Sequence, residues 1–181
     1  SSPRLVSMAI GEKVNLEELG GWRLHADQTG LIDRFVDTDE EAMAELRRFL
    51  SYMPANNGVL PPEYDPVEDA AQEQDDILEI LPERQAKVYD MRKIIEIIVD
   101  KGSFFEFKPR FGKAGTVGLA RLNGKSVGIV ANNPQFGGGA LSQEACRKII
   151  DFQVMCDSFN IPIVRFMDTP GFVVGTEAER K

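Results

Sequence analysis

Two short loops hold the residues best placed for chemistry. Gly137-Gly138-Gly139-Ala140-Leu141-Ser142 joins a hydrophobic run to an amphipathic one, and its small residues let a ligand come close to the backbone. N–H groups of Gly138, Gly139 and Ala140 left unpaired at the start of the following helix could donate to an oxyanion; the plainer reading is a turn capped by Ser142. Asp168-Thr169-Pro170-Gly171-Phe172 follows a second hydrophobic run. Asp-x-x-Gly in that place also suits a phosphate-sensing GTPase loop, which needs a P-loop elsewhere. The only Gly-Lys-Ser is Gly124-Lys125-Ser126, and the position five before Gly124 is Leu119, so Gly-x4-Gly-Lys-[Ser/Thr] is missing from the chain.

Other reactive side chains are sparse. The single histidine, His25, has no partner recognisable from sequence and reads as structural. Cys146 and Cys156 lie ten residues apart on one helical stretch, about 15 Å of rise and far beyond disulfide reach. No Cys or His cluster suggests a zinc site, and none is expected. Trp22, beside Gly20-Gly21, reads as core or interface, core packing being the favoured of the two, while Arg47-Arg48 and Arg147-Lys148 read as solvated helix faces, the latter pair with Asp151 at four and three residues.

The elements that must position these loops follow from periodicity. Asn15 with Glu18, and Thr38 with Glu41, are capping-box pairs; Ala42, Met43, Leu46, Phe49, Leu50 and Met53 give the second helix one apolar face. Asp90 caps a helix through Ile94, Ile95, Ile98 and Val99. Phe104–Phe107, Thr116–Leu122 and Lys125–Ala131 read as strands, the last two joined by a type I′ turn at Asn123-Gly124. Ala145, Ile149, Phe152, Cys156 and Phe159 line one face of a helix over Ser142–Phe159, and Ile161–Met167 reads as a buried strand. Strand, crossover helix and strand imply a parallel pair, with both loops at its carboxyl edge, where open α/β sheets bind ligands.

Composition narrows the class. With 43% hydrophobic residues in 181 the chain can bury a core, and no run approaches the roughly 20 apolar residues of a membrane span. The net charge of −8 is concentrated: nine acids and no Lys or Arg lie from Phe49 to Glu83, leaving 20 acids against 21 bases elsewhere. Such a balance argues against a nucleic-acid partner, and the acidic, proline-bearing stretch 54–87 reads as a solvated connector. The start at Ser1 without Met and the end at Lys181 within a helical pattern are read as marks of an internal segment.

Taken in order, Glu17-Glu18-Leu19-Gly20-Gly21, Leu50-Ser51-Tyr52-Met53-Pro54, Tyr89-Asp90-Met91-Arg92, Val99-Asp100-Lys101-Gly102-Ser103-Phe104, Gly128-Ile129-Val130-Ala131-Asn132-Asn133-Pro134, Cys156-Asp157-Ser158-Phe159-Asn160-Ile161-Pro162 and Asp168-Thr169-Pro170-Gly171-Phe172 resemble the carboxyltransferase (beta) subunits of biotin-dependent acyl-CoA carboxylases, of the propionyl-, acetyl- and methylcrotonyl-CoA type. The resemblance covers nearly the whole chain. It implies a partial α/β fold, a ClpP/crotonase-like ββα superhelix, with 1–53 ending one half, 54–87 as linker and 88–181 beginning the second half.

The implied activity is carboxyl transfer from carboxybiotin, held on a separate carrier, to the α-carbon of an acyl-CoA, with backbone N–H pairs stabilising the developing oxyanions. Implied catalytic residues are Gly138, Gly139 and Ala140, and Asn133, Thr169, Pro170, Gly171 and Phe172 would border the biotin. Implied partners are biotin carboxyl carrier and biotin carboxylase components and further copies of the subunit, in a bacterial cytoplasm or mitochondrial matrix. Two departures stand out. Trp22-Arg23-Leu24-His25 replaces the family's Ala-x-Thr-His, and Gly138-Gly139-Ala140-Leu141-Ser142 its Ala-Gly-x-Leu-Asp. The family's two main Gly-Gly-Ala oxyanion segments are expected outside this stretch, which would leave it the biotin-side floor of the site and inactive alone. A biotin-dependent acyl-CoA decarboxylase and a non-catalytic assembly module are the alternatives.

Overall fold

The computed structural model describes residues 2–65, 76–82 and 88–180. Helix α1 spans Pro3–Ile10, α2 Leu16–Gly20 and α3 Trp22–Leu24, the last continuing into a wide turn over His25–Thr29. Asn15 and Thr38 form the two expected capping boxes, opening α2 and α4 (Asp39–Leu50). After a short α5 (Asp76–Ile80) come α6 (Met91–Ile98), β1 (Phe105–Phe107), β2 (Gly115–Leu122), β3 (Lys125–Asn132), α7 (Gln143–Ser158), β4 (Ile163–Phe166) and α8 (Thr176–Glu179).

The four strands lie side by side in chain order, β1-β2-β3 antiparallel and β3-β4 parallel across the α7 crossover. Asn123 and Gly124 both adopt positive φ, as a type I′ hairpin needs. Asp100 fixes that hairpin by accepting from both of their N–H groups, at 2.8 and 2.7 Å.

Period-two alternation sends side chains to both faces of the sheet. Val117, Leu119 and Val130 meet Phe152 and Cys156 of α7, whereas Ala120, Val127, Ile129 and Ala131 meet Met91, Ile94 and Ile95 of α6. Each fully buried aliphatic or aromatic side chain here contributes roughly 1.5–3 kcal/mol. Gly128 lets α7 settle closely, since a Cβ there would lie 2.6 Å from Cys156 Sγ.

The segment after α4 enters this core. Tyr52 is 1% exposed and donates its hydroxyl to Ser103 O. Arg121 lies between the Tyr52 and Tyr64 rings, 4.2 and 4.3 Å from their centroids. Within 54–87, Ile77 and Ile80 of α5 pack on the α6 side of the core, while Leu78 stays exposed; residues 66–75 and 83–87 of the expected connector lie outside the described residues.

Four expectations need correction. Strand β4 is half-buried rather than buried, because it forms the sheet's edge and has a neighbouring strand on one side only. The apolar face of α4 is largely open, Met43, Leu46 and Leu50 being exposed and only its C-terminal end, Phe49 with the following Met53, meeting the core. Arg48 is no solvated residue: it donates to Gly102 O and Phe104 O at 3.0 and 2.8 Å and lies over the Phe105 ring. Trp22 is half-buried in a surface stack on Phe35, with Arg23 and Arg110 over its ring.

Candidate functional site at the carboxyl edge of the sheet

Strand β3 delivers two adjacent asparagines with different tasks. The Asn132 carboxamide bonds both sides of the Asp168 backbone, accepting from its N–H at 2.7 Å and donating to its C=O. This carries the β3–β4 pairing past its last rung, Ala131 with Phe166, and fixes where the Asp168–Phe172 loop leaves the sheet. Asn133 turns to α6 instead, donating to Asp90 Oδ1 at 2.7 Å and accepting from the Met91 and Gln135 N–H groups. Burial works to raise the Asp90 carboxyl, but hydrogen bonds from Arg92 and Asn133 together hold it below its ordinary value.

The two loops are tied to each other. Thr169 Oγ1 lies 2.7 Å from Gly139 O, to which it donates, and accepts from the Gly171 N–H. Leu141 pairs with Phe172 as an isolated parallel bridge, its N–H donating to Gly171 O and its C=O accepting from Val173. Ser142 caps α7, accepting from the Ala145 N–H.

Sequence reasoning therefore placed the loops together correctly but misread the donors. The N–H groups of Gly139 and Ala140, expected to face an oxyanion, are already spent on Phe136 O and Gly137 O in one turn of 3₁₀-helix. Gly138 is exposed, at φ +63, and its N–H has no partner among the described residues. Gly139 has a different reason to be glycine: a Cβ there would lie 2.6 Å from Asp168 O and 2.7 Å from Asn132 Nδ2, at φ +83. A branched residue at 139 would break the loop-to-loop contact, so it is no clean probe of ligand approach. Asn133, expected against the cofactor, is 1% exposed with its side chain fully engaged, and it positions the loop from below.

What remains outward are the N–H groups of Gly137 and Gly138, without a partner among the described residues, and a cleft with both apolar and acidic walls. Phe172 is 70% exposed, and with Leu141, Ser142, Cys146, Val173 and Glu177 it lines an open cleft of about 570 Å³. With Glu144, Glu177 and Glu179 in its lining and no lysine or arginine, the cleft does not suit a phosphate.

Helix α7 also buries a cation that composition hides. Lys148 is 1% exposed on the inner face of α7 and donates to Lys108 O and Phe111 O at 2.9 and 3.0 Å. Burial lowers its pKa to about 8, partly opposed by Glu106. Asp151, expected as its partner, pairs with Lys108 at 3.6 Å. Glu106, on the edge strand β1, is raised by burial against the pull of Arg92. Sequence reasoning also passed over Tyr89, whose hydroxyl donates to Asp168 Oδ2 at 2.7 Å. Its adjacency to the capping Asp90 was a signal, but a partner 79 residues away was not visible.

Among the described residues no group of three or more potential metal ligands occurs, and no helix is long and apolar enough to cross a membrane. Residues 1–181 match the family model described as "Carboxyl transferase domain". The chain is 41% identical over 179 residues to a propionyl-CoA carboxylase carboxyltransferase subunit of Haloferax mediterranei, covering 99% of this chain and 35% of that one. It is 35% identical over 179 residues to the methylmalonyl-CoA decarboxylase subunit alpha of Veillonella parvula, with the same coverage. Among solved structures, transcarboxylase 12S, a hexamer with methylmalonyl-coenzyme A bound, superposes with a TM-score of 0.94 at 36% identity, over 99% of this chain and 34% of that one. The chain thus spans about a third of the length of these relatives.

Proposed function

Because the chain belongs to the carboxyl transferase domain family, we propose that it serves carboxyl transfer to the α-carbon of a short acyl-CoA, as part of a longer carboxyltransferase polypeptide. Its sheet and flanking helices are part of a crotonase-like α/β fold, matching the transcarboxylase 12S core. The reading divides it as before: 1–53 closes one half, 54–87 connects, and 88–181 opens the second. Carboxybiotin, brought by a carrier component, supplies the activated carboxyl group.

The observation that carries the reading is the loop pair at the carboxyl edge, which leaves Gly138 exposed with an unpartnered N–H and Phe172 exposed on the loop tied to it. In this assignment Gly138 donates to a ring oxygen and Phe172 with Pro170 packs against the ring. Thr169, Gly171, Gly139 and Ala140 hold the loops together, and Asn133 supports them from β3. A preorganised N–H that need not turn as charge develops is an efficient stabiliser. Further copies of the subunit and a biotin carboxylase component complete the assembly, in a cytoplasm or mitochondrial matrix.

The full-length polypeptide, given carboxylated biotinyl carrier and propionyl-CoA, is expected to form methylmalonyl-CoA; absence of transfer to every short acyl-CoA would sink the reading. Phe172→Ala is the local test. The side chain is mostly exposed, so thermal stability should hold while KM for the biotinyl carrier rises about tenfold, the equivalent of 1.4 kcal/mol. An unchanged KM removes Phe172 from the site. The decarboxylase relative favours a second reading, in which the same floor receives the carboxyl group from methylmalonyl-CoA onto biotin. Initial rates in both directions from equal acyl-CoA concentrations separate the two.

A further inference from the structure

We propose that Tyr89 is a positioning residue for the Gly137–Ala140 loop, acting through Asp168; this deepens the carboxyl-transfer reading and rests on it. Tyr89 and Asp90 are neighbours at the start of α6, and each grips a different loop. Asp90 holds Asn133, at the root of the glycine loop, and Tyr89 holds Asp168, at the root of the other. The Asp90 grip is redundant, since Asn133 also accepts from Met91 and Gln135. Tyr89 has no such support: its hydroxyl is the sole hydrogen-bond partner of the Asp168 carboxylate among the described residues.

From Asp168 the connection runs to the glycines in two ways. The Asp168 backbone is clasped by Asn132, and its carbonyl lies where a Cβ on Gly139 would sit. The next residue, Thr169, donates to Gly139 O. Asp168 therefore cannot shift without moving Gly139, and Gly139 is one peptide from the Gly138 N–H. The half-buried Tyr89 ring, just before the cap of α6 and packed against the cluster that α6 forms with the sheet through Ile94 and Ile95, supplies a fixed point for an otherwise exposed carboxylate. A loop whose donor must not drift by even an ångström gains from such an anchor.

The experiment uses the full-length polypeptide and two independent readouts. In Tyr89→Phe, amide hydrogen exchange over residues 136–141 should accelerate, and kcat for carboxyl transfer should fall roughly fivefold with KM for acyl-CoA unchanged, the scale of one lost hydrogen bond. Asp168→Ala should do the same. Asp168→Asn keeps an oxygen for the tyrosine and should recover most of what Asp168→Ala loses. Combining Tyr89→Phe with Asp168→Ala should cost no more than either alone. Exchange over 136–141 that stays at the wild-type rate in Tyr89→Phe overturns the proposal, as do additive losses in the double variant. If the wild type transfers no carboxyl group at all, the function reading fails by itself, while the exchange measurement still decides whether Tyr89 restrains the loop.

Discussion

Helices α4 and α7 start alike and end differently. Each opens on a hydroxyl cap, Thr38 or Ser142, and each carries apolar residues at helical spacing. Helix α7 buries Ala145, Phe152 and Cys156 against β2 and β3, whereas α4 buries nothing fully and leaves Met43, Leu46 and Leu50 to solvent. Periodicity reports that a helix has a face; it does not report which part of the molecule covers it. For α7 the cover is a sheet next to it in the chain. For α4 only the C-terminal end finds cover, where Phe49 and the following Tyr52 reach Phe105.

That asymmetry makes Tyr52 the largest single lever. Its ring fills the core between Phe105 and Arg121, so Tyr52→Ala should cost this 181-residue chain about 3–5 kcal/mol in denaturant unfolding, the usual range for a buried aromatic. A loss under about 1 kcal/mol would mean that the α4 segment is not part of the sheet's core. The contrast between the helices would then be complete rather than partial.

Lys148 sharpens the comparison from the other side, because α7 buries a charge as well as its apolar stripe. Its folded pKa, about 8, lies below the ordinary 10.5. Between those values the unfolded chain holds a proton that the folded chain has released, so stability rises with pH across that window and is flat for this group outside it. The rise should total about 3 kcal/mol at 1.36 kcal/mol per unit, and Lys148→Met should abolish it. Unfolding curves of both proteins at pH 7.5 and 10.5 measure the slope; equal slopes would show that the ammonium is solvated.

Much of this was legible. Caps, the Asn123-Gly124 hairpin, the parallel β3–β4 pair and the convergence of the two loops all follow from local spacing and turn chemistry, and the structure has each of them. What escaped is side-chain pairing over long separations. Lys148 reads as surface until Lys108 O and Phe111 O supply acceptors from 40 and 37 residues away. Gly139 reads as room for a ligand until Asp168 O occupies that room. In both cases the residue type is right for the expected role, and only tertiary contact decides against it.

The smallest expected effect is the most direct test of the comparison. Leu46 lies mid-helix on α4 and is 49% exposed, so Leu46→Gln removes an apolar side chain that this chain does not bury. Gln has nearly the helix propensity of Leu, and Thr38 with Glu41 still caps the helix, so no local term changes much. Stability of the 181-residue chain should therefore move by no more than about 0.5 kcal/mol, as for ordinary surface positions. The matching change on α7, Phe152→Leu, alters a contact with Phe107 and the core and should cost more than twice as much. Equal losses at the two sites would show that the α4 face is covered within this chain after all, and would erase the difference between the helices.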